Sequence, residues 1–169
     1  MFRILVLDGG GIRGTFTAAV LARWVKILDD ESAGQQFVKH FDLIAGTSTG
    51  AILAIGLALG LTPERILSFY REKGPEIFSG GNWTGSKYDS ATLRGTISEI
   101  LQNGRLSDSC CRLVIPTVRA KHGIADVIVT PHSPDRTAFK DLLAADAAMA
   151  SASAPSYFDE HSIDDEVAE

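Results

Sequence analysis

Hydrophobic residues follow two patterns that alternate along the chain. Short, mostly apolar runs at residues 3–7, 41–45, 112–116 and 125–129 predict four β-strands. The first run predicts a strand that is buried in a parallel sheet. Between these runs, apolar residues recur every three or four positions, which is typical of helices. The alternation therefore predicts an α/β fold with a mainly parallel central sheet.

The helical segments differ in how much of their surface is apolar. Residues 51–59 are apolar nearly all round and predict a buried helix. Thr62 is predicted to cap the next helix, with Pro63 at its first position and Gly74 at its end. The first helix is predicted to bury a face of Phe16, Val20, Trp24 and Ile27, widened by Leu21, Val25 and Leu28. Two further helices are predicted at 91–101 and 139–150, and two loops at 29–34 and 79–90.

Composition indicates an ordinary soluble globular domain that spans residues 1–169. Hydrophobic residues make up 45%, charged residues 22%, and the net charge is −5, with no basic block that would suggest nucleic acid. The adjacent Cys110 and Cys111 favour a reduced, cytoplasmic setting over a disulfide, and the N-terminal residues show no signal-peptide pattern. Residues 43–61 carry no charge, but their glycines favour a buried strand, turn and helix over a membrane span.

A serine lies between a predicted strand and a predicted buried helix. Residues 46–50 read Gly-Thr-Ser-Thr-Gly, the Gly-x-Ser-x-Gly pattern of a nucleophile elbow. Gly46 and Gly50 allow a turn too sharp for larger side chains, and the turn holds Ser48 exposed, with Thr47 and Thr49 beside it. The pattern predicts a nucleophilic Ser48. The alternative is a tight turn with an incidental serine.

A second glycine-rich turn follows the first predicted strand. Residues 8–14 read Asp-Gly-Gly-Gly-Ile-Arg-Gly and contain the Gly-x-Gly-x-x-Gly pattern of dinucleotide sites, with Asp29 near the expected ribose-binding position. However, Asp29 follows a helical run rather than a strand, and the ending of a phosphate-binding P-loop is absent. An oxyanion hole made of backbone N–H groups is the alternative that fits a nearby serine, with Arg13 ordering the loop or adding positive potential.

Together, the blocks at 8–14 and 41–50 resemble the two hallmark motifs of the patatin-like phospholipase family. Weaker similarity extends to 87–89, 114–117 and 150–158. The resemblance implies a three-layer α/β fold and hydrolysis of phospholipids or other acyl lipids, at a membrane surface, by a Ser-Asp dyad without metal or organic cofactor. It implies that Ser48 is the nucleophile and that the oxyanion hole is shaped by Gly9, Gly10, Gly11, Arg13 and Gly14.

The chain departs from the family pattern in one respect. The dyad aspartate of the family lies in an Asp-Gly-Gly or Asp-Gly-Ala block after the segment at 150–158, but here Asp-Gly occurs only at Asp8. The chain is therefore expected to be C-terminally truncated and inactive or weak, and Asp164 and Asp165 are not assigned the role. Two alternatives stay open: a catalytically silent lipid- or nucleotide-binding module, and a Ser-Asp-His hydrolase that uses His161.

Overall fold

A four-stranded sheet forms the centre of the structure. The computed structural model describes residues 1–27, 37–78, 88–153, 158, 159, 161 and 163. The strands are β1 (Ile4–Leu7), β2 (Leu43–Gly46), β3 (Arg112–Arg119) and β4 (Ile124–Val129), and they lie in that order across the sheet. The β1–β2 and β2–β3 pairs are parallel and the β3–β4 pair is antiparallel. The predicted α/β fold with a mainly parallel sheet is confirmed.

Five helices accompany the sheet in the described ranges. They are α1 (Gly14–Ile27), α2 (Thr49–Ala58), α3 (Pro63–Ile77), α4 (Ser90–Leu101) and α5 (Ala144–Ala152). Of the two predicted loops, 29–34 and most of 79–90 lie outside the described residues. The helix predicted at 139–150 begins later, at Ala144, because the carbonyl of Leu142 accepts a hydrogen bond from the Leu106 amide and Leu143 pairs with Arg105.

Alternate residues of the strands form the core beneath α2 and α5. All ten residues of α2 are buried, as predicted, and this helix packs on the first three strands, whereas α5 packs on β3. Segment 43–61 is thus a strand, a sharp turn and a core helix. Among the described residues, no helix is both long and apolar enough to cross a membrane. The strand residues buried against the helices include Leu7, Ile44, Leu113, Ile115 and Ile128.

Strand β1 is less buried than its sequence predicts. It lies at one edge of the order β1-β2-β3-β4, and α2 covers the face that carries Leu7. The side chains of Ile4 and Val6 point to the opposite face and are 54% and 65% exposed. The prediction of a fully buried strand was wrong, because successive side chains of a strand point to opposite faces and only one face is covered by described residues.

The face that α1 buries agrees with the prediction at Leu21 and Val25 and differs from it elsewhere. The helix packs mainly on α3, and its buried residues include Ala18, Leu21, Ala22 and Val25. Leu28 lies outside the described residues. The predicted core residues Phe16, Val20, Trp24 and Ile27 are exposed.

Helix α3 begins as predicted but continues past its predicted end. Thr62 caps it by accepting a hydrogen bond from the Arg65 amide at 3.2 Å, and Pro63 is its first residue. The helix runs through Gly74 to Ile77, so Gly74 is not its terminator. A Cβ atom at Gly74 would lie 2.6 Å from Cδ1 of Ile12. The glycine instead makes room for the turn that follows β1.

Helix α4 completes the core on the side of α5. Its apolar residues Leu93, Ile97, Ile100 and Leu101 are buried and belong to the core. Asp89 caps the helix by accepting hydrogen bonds from the amides of Ala91 and Thr92 and from the hydroxyl of Thr92. These hydrogen bonds, that of the Thr92 hydroxyl above all, lower the pKa of Asp89.

Candidate active site

The two glycine-rich turns meet at one edge of the sheet. Because β1 and β2 are parallel neighbours with Leu7 opposite Gly46, the turn that follows each strand emerges at the same carboxyl edge. Ligand sites of open parallel sheets lie at this edge. The amide of Thr47 donates a hydrogen bond to the carbonyl oxygen of Leu7 at 3.2 Å, which joins the second turn to the end of β1.

Ser48 lies at the apex of the second turn with a strained backbone. Its φ of 56° and ψ of −124° belong to a backbone region that residues other than glycine rarely adopt. The flanking glycines are required sterically, since a Cβ at Gly46 would lie 2.2 Å from the carbonyl oxygen of Gly50. Ser48 immediately precedes α2, so its side chain lies at the positive end of the helix dipole.

The first turn packs directly against Ser48. A Cβ at Gly9 would lie 2.9 Å from the Cβ of Ser48 and 2.8 Å from the carbonyl oxygen of Thr47. Gly10 and Gly11 have φ values of 152° and 58°, which favour glycine. Gly14 starts α1, where a Cβ would lie 3.1 Å from the ring of Tyr70. The glycines of this turn therefore bring its backbone close to the serine.

A cavity of about 470 Å³ opens beside Ser48. Residues of the first turn and the start of α2 line one part of it, and these include the exposed Arg13. Apolar side chains line the rest. A concave, mostly apolar space with a few polar groups at one end is typical of small-molecule sites. The apolar lining consists of Phe78, Tyr88, Leu93, Ala152 and Phe158, together with Ile12.

Two hydroxyl groups from distant parts of the chain support the serine turn. The Tyr70 hydroxyl donates a hydrogen bond to the carbonyl of Thr49 at 2.8 Å, and burial raises the pKa of this phenol. The backbone amide of Ser48 donates to the Oγ of Ser151 at 3.0 Å, and that Oγ donates to the carbonyl of Pro116 at 2.7 Å. Sequence reasoning assigned no role to Tyr70 or Ser151, and no local pattern signals such distant contacts.

No acid or histidine contacts the hydroxyl of Ser48 by a hydrogen bond within the described ranges. His161 binds elsewhere: its Nε2 lies 3.1 Å from Oδ1 of Asp146, which also accepts a hydrogen bond from Arg94 at 3.0 Å. The structure thus does not join His161 to the nucleophile. Across the same residues, no group of three or more His, Cys, Asp or Glu side chains could hold a metal ion. Asp29, the ribose-binding candidate, lies outside the described residues.

Comparison with known families identifies the group to which this architecture belongs. A family model described as patatin-like phospholipase matches residues 5–168. The chain belongs to the patatin-like phospholipase family. The resemblance of the two glycine-rich blocks is thereby confirmed. Of the weaker blocks, Lys87 and residues 154–157 lie outside the described residues.

Relatives of the chain occur in bacteria and plants. A cGAMP-activated phospholipase of Pseudomonas aeruginosa is 35% identical over 165 residues, which cover 93% of this chain and 48% of that protein. One of Vibrio cholerae is also 35% identical, over 94% of this chain and 50% of that protein. Patatin-like protein 2 of Arabidopsis thaliana is 32% identical, over 94% of this chain and 44% of that protein. The chain therefore spans about half the length of these relatives.

Solved structures agree at the level of the fold. The type III effector ExoU superimposes with a TM-score of 0.51 over 89% of this chain and 40% of its own, at 15% identity. ExoU of Pseudomonas aeruginosa in complex with SpcU superimposes with a TM-score of 0.53 over 91% of this chain and 38% of its own, at 17% identity. At such identities the likeness shows that the chain shares the patatin-like α/β fold.

Proposed function

We propose that this protein hydrolyses ester bonds of phospholipids or other acyl lipids, with Ser48 as the nucleophile. The observation that carries the proposal is the position of Ser48. It lies on a strained strand-to-helix turn, beside a glycine turn, at the polar end of an apolar cavity. A strained elbow of this kind is the usual setting of a serine nucleophile in α/β hydrolases.

The proposed reaction proceeds through an acyl-enzyme. The Oγ of Ser48 attacks the ester carbonyl carbon and loses its proton to a base, and the alcohol leaves with a proton. Water then attacks the acyl-serine, which releases the fatty acid and returns the proton to Ser48. None of the described carboxylates is hydrogen-bonded to Ser48, so the proposal names no residue as the base.

Backbone amides are the proposed stabilisers of the oxyanion. The Ser48 amide is already bonded to Ser151, and the amides of Gly10 and Gly11, on the cavity wall, are the candidates from the first turn. Thr49 supplies another, because the first amides of a helix have no acceptor within it. Such donors contribute about 3–4 kcal/mol each to transition-state stabilisation. Arg13 adds a positive charge on the same side.

The cavity gives the proposed substrate class. Its volume of about 470 Å³ lies within the range of roughly 300–1,000 Å³ typical of ligand sites. The aromatic side chains of Phe78, Tyr88 and Phe158 provide the apolar contacts that a fatty acyl chain needs. The names of the bacterial relatives give phospholipase activity, which supports a phospholipid at a membrane surface. Both cysteines are free, in keeping with the proposed cytoplasmic location.

Covalent labelling tests the proposal at the residue that carries it. The full chain is treated with a fluorophosphonate probe, and the labelled peptide is identified by mass spectrometry. In parallel, release of fatty acid is measured from phosphatidylcholine vesicles and from p-nitrophenyl esters of short and long acyl chains. We expect the label on Ser48. Because none of the described carboxylates is hydrogen-bonded to Ser48 as a base, we expect slow hydrolysis that is still faster for the long-chain ester.

Two variants define how the outcome is interpreted. Ser48→Ala is expected to abolish labelling and ester hydrolysis, whereas Ser107→Ala, at an exposed serine of the 3₁₀ turn Leu106–Asp108, leaves both unchanged. Labelling at another serine, no labelling of the folded chain, or hydrolysis that persists in Ser48→Ala would overturn the proposal. The last result would point to a different nucleophile.

A further inference from the structure

We infer that Ser151 is a positioning residue that holds the backbone of Ser48 in its reactive conformation. Ser151 belongs to α5, 103 residues away along the chain, and its Oγ accepts a hydrogen bond from the Ser48 amide. The inference rests on the proposed role of Ser48 as nucleophile. The inference concerns the backbone conformation of Ser48, so it can also be tested by a measurement that does not depend on enzyme activity.

The hydroxyl of Ser151 is oriented by its second hydrogen bond. A serine hydroxyl has one proton to donate and lone pairs that accept. Ser151 donates its proton to the carbonyl of Pro116 at 2.7 Å, so a lone pair is left for the Ser48 amide at 3.0 Å. The next residue of β3, Thr117, donates to the carbonyl of Ala150 at 2.7 Å. These two adjacent bonds fix α5 to β3 and place the Ser151 oxygen.

The strained backbone of Ser48 makes this bond consequential. A residue with φ of 56° and ψ of −124° keeps that conformation only where its surroundings hold it. On the carboxyl side, the Ser48 carbonyl accepts from the Ala51 amide at 2.8 Å. The Thr47 carbonyl, in the peptide unit that precedes Ser48, accepts from the Gly50 amide at 2.8 Å. On the amino side, Ser151 supplies the hydrogen bond to the Ser48 amide itself.

The same bond determines which amide can face an oxyanion. The amide of Ser48 is directed at Ser151 and is removed from the set of available donors. The amide of Thr49 is the next one along the chain and begins α2, where it has no acceptor within the helix. Without Ser151, the peptide unit between Thr47 and Ser48 is held only by the hydrogen bond from the Gly50 amide to the Thr47 carbonyl. Both the hydroxyl of Ser48 and the neighbouring amide are then less well oriented.

The chain contains a matched control two residues away. Ser153 follows α5, and its buried hydroxyl has no hydrogen-bond partner among the described residues. Ser153→Ala therefore removes the same atoms from the same region without removing a contact to the elbow. Ser151→Ala removes the acceptor, and Ser151→Thr keeps the hydroxyl and serves as the conservative rescue.

The experiment measures the backbone and the chemistry separately. Amide hydrogen exchange of Ser48 is followed by NMR in the full chain, and the labelling rate and kinetics of ester hydrolysis are measured in the same variants. We expect Ser151→Ala to accelerate exchange at Ser48 by about tenfold or more. We expect kcat and the labelling rate to fall by about 10- to 100-fold with KM nearly unchanged. Ser151→Thr should recover most of both losses, and Ser153→Ala should match the wild type.

The two readouts separate failure of this inference from failure of the proposed function. Unchanged exchange at Ser48 in Ser151→Ala would refute the positioning role, whatever the activity. A wild-type chain that exchanges as expected but is never labelled at Ser48 would refute the nucleophile and leave the positioning of its backbone supported. A loss of activity in Ser151→Ala that Thr does not restore, with an equal loss in Ser153→Ala, would show a general structural effect and overturn the inference.

Discussion

A Cβ atom at Gly50 would lie 2.0 Å from the carbonyl oxygen of Leu7. Real Cβ atoms do not approach a backbone oxygen so closely, so the first turn of α2 touches the end of β1 only because residue 50 is glycine. The same contact brings the two glycine-rich turns together. The geometry of the candidate site therefore depends on backbone packing that a single methyl group would disrupt.

Gly50→Ala is predicted to destabilise the fold strongly. The added methyl group meets main-chain atoms of Leu7 and Asp8, which cannot move without displacing β1. Overpacking of this severity costs about 3 kcal/mol or more. Gly95→Ala is the matched control, because Gly95 lies inside α4 with open space around it, and helix propensity predicts a gain of up to about 1 kcal/mol. Urea unfolding measures the free energy of unfolding of both variants. Equal values would contradict the close contact between Gly50 and Leu7.

Gly9→Ala is predicted to affect the site more than the fold. Its methyl group would lie 2.8 Å from the Thr47 carbonyl oxygen and 2.9 Å from the Ser48 Cβ, so the first turn must withdraw from the serine. We expect the fluorophosphonate labelling rate at Ser48 to fall by at least about tenfold, since oxyanion donors act only at close range.

The control for this prediction, Gly123→Ala, is expected to lower stability without affecting the site. Gly123 has φ of 63° and open space, so Gly123→Ala strains the β3–β4 turn by about 1 kcal/mol without touching the site. Its unfolding free energy is expected to fall while labelling of Ser48 stays at the wild-type rate. A similar loss of labelling in both variants would show that labelling follows stability rather than local geometry.

The parts of the fold that were predicted correctly depend on neighbouring residues. The sharp strand-to-helix turn at Ser48 and the cap at Thr62 each need only a few adjacent residues of the right type, so both could be recognised from the sequence. Gly74 shows the limit of such reasoning, because a glycine that ends a helix and a glycine that admits Ile12 look identical in sequence. The supports of the elbow, Tyr70 and Ser151, act across 21 and 103 residues and give no local signal.

The stability of the fold is predicted to depend on pH through the capping residue of α4, Asp89. Hydrogen bonds from Thr92 and Ala91 lower the pKa of Asp89 below its ordinary value of 3.8. A carboxyl group whose pKa is lower in the folded state contributes stability above its unfolded pKa and loses it as the pH falls through the folded value. The thermal midpoint should therefore fall on acidification below about pH 4, and less steeply in Asp89→Asn.

A second acid provides the comparison for the cap. Asp135 lies in an exposed turn, and Asp135→Asn is expected to keep the wild-type pH profile between pH 3 and 7 within about 1 °C. Circular dichroism follows the thermal unfolding of all three proteins. Identical acid slopes for the wild type and Asp89→Asn would show that the capping bonds do not favour the charged carboxylate.

The buried face of α1 can be tested directly, because the sequence and the structure disagree about it. Helical periodicity favoured Phe16 as a core residue, whereas its side chain is 74% exposed and that of Leu21 is 3% exposed. Phe16→Ser is therefore predicted to change the free energy of unfolding by no more than about 0.5 kcal/mol, and Leu21→Ala to lower it by about 2–5 kcal/mol. Periodicity alone could not choose between these faces, because both are apolar, whereas the structure buries the side that carries Ala18, Leu21 and Ala22. Urea unfolding of the two variants decides the matter, and a larger loss in Phe16→Ser would restore the face that periodicity favours.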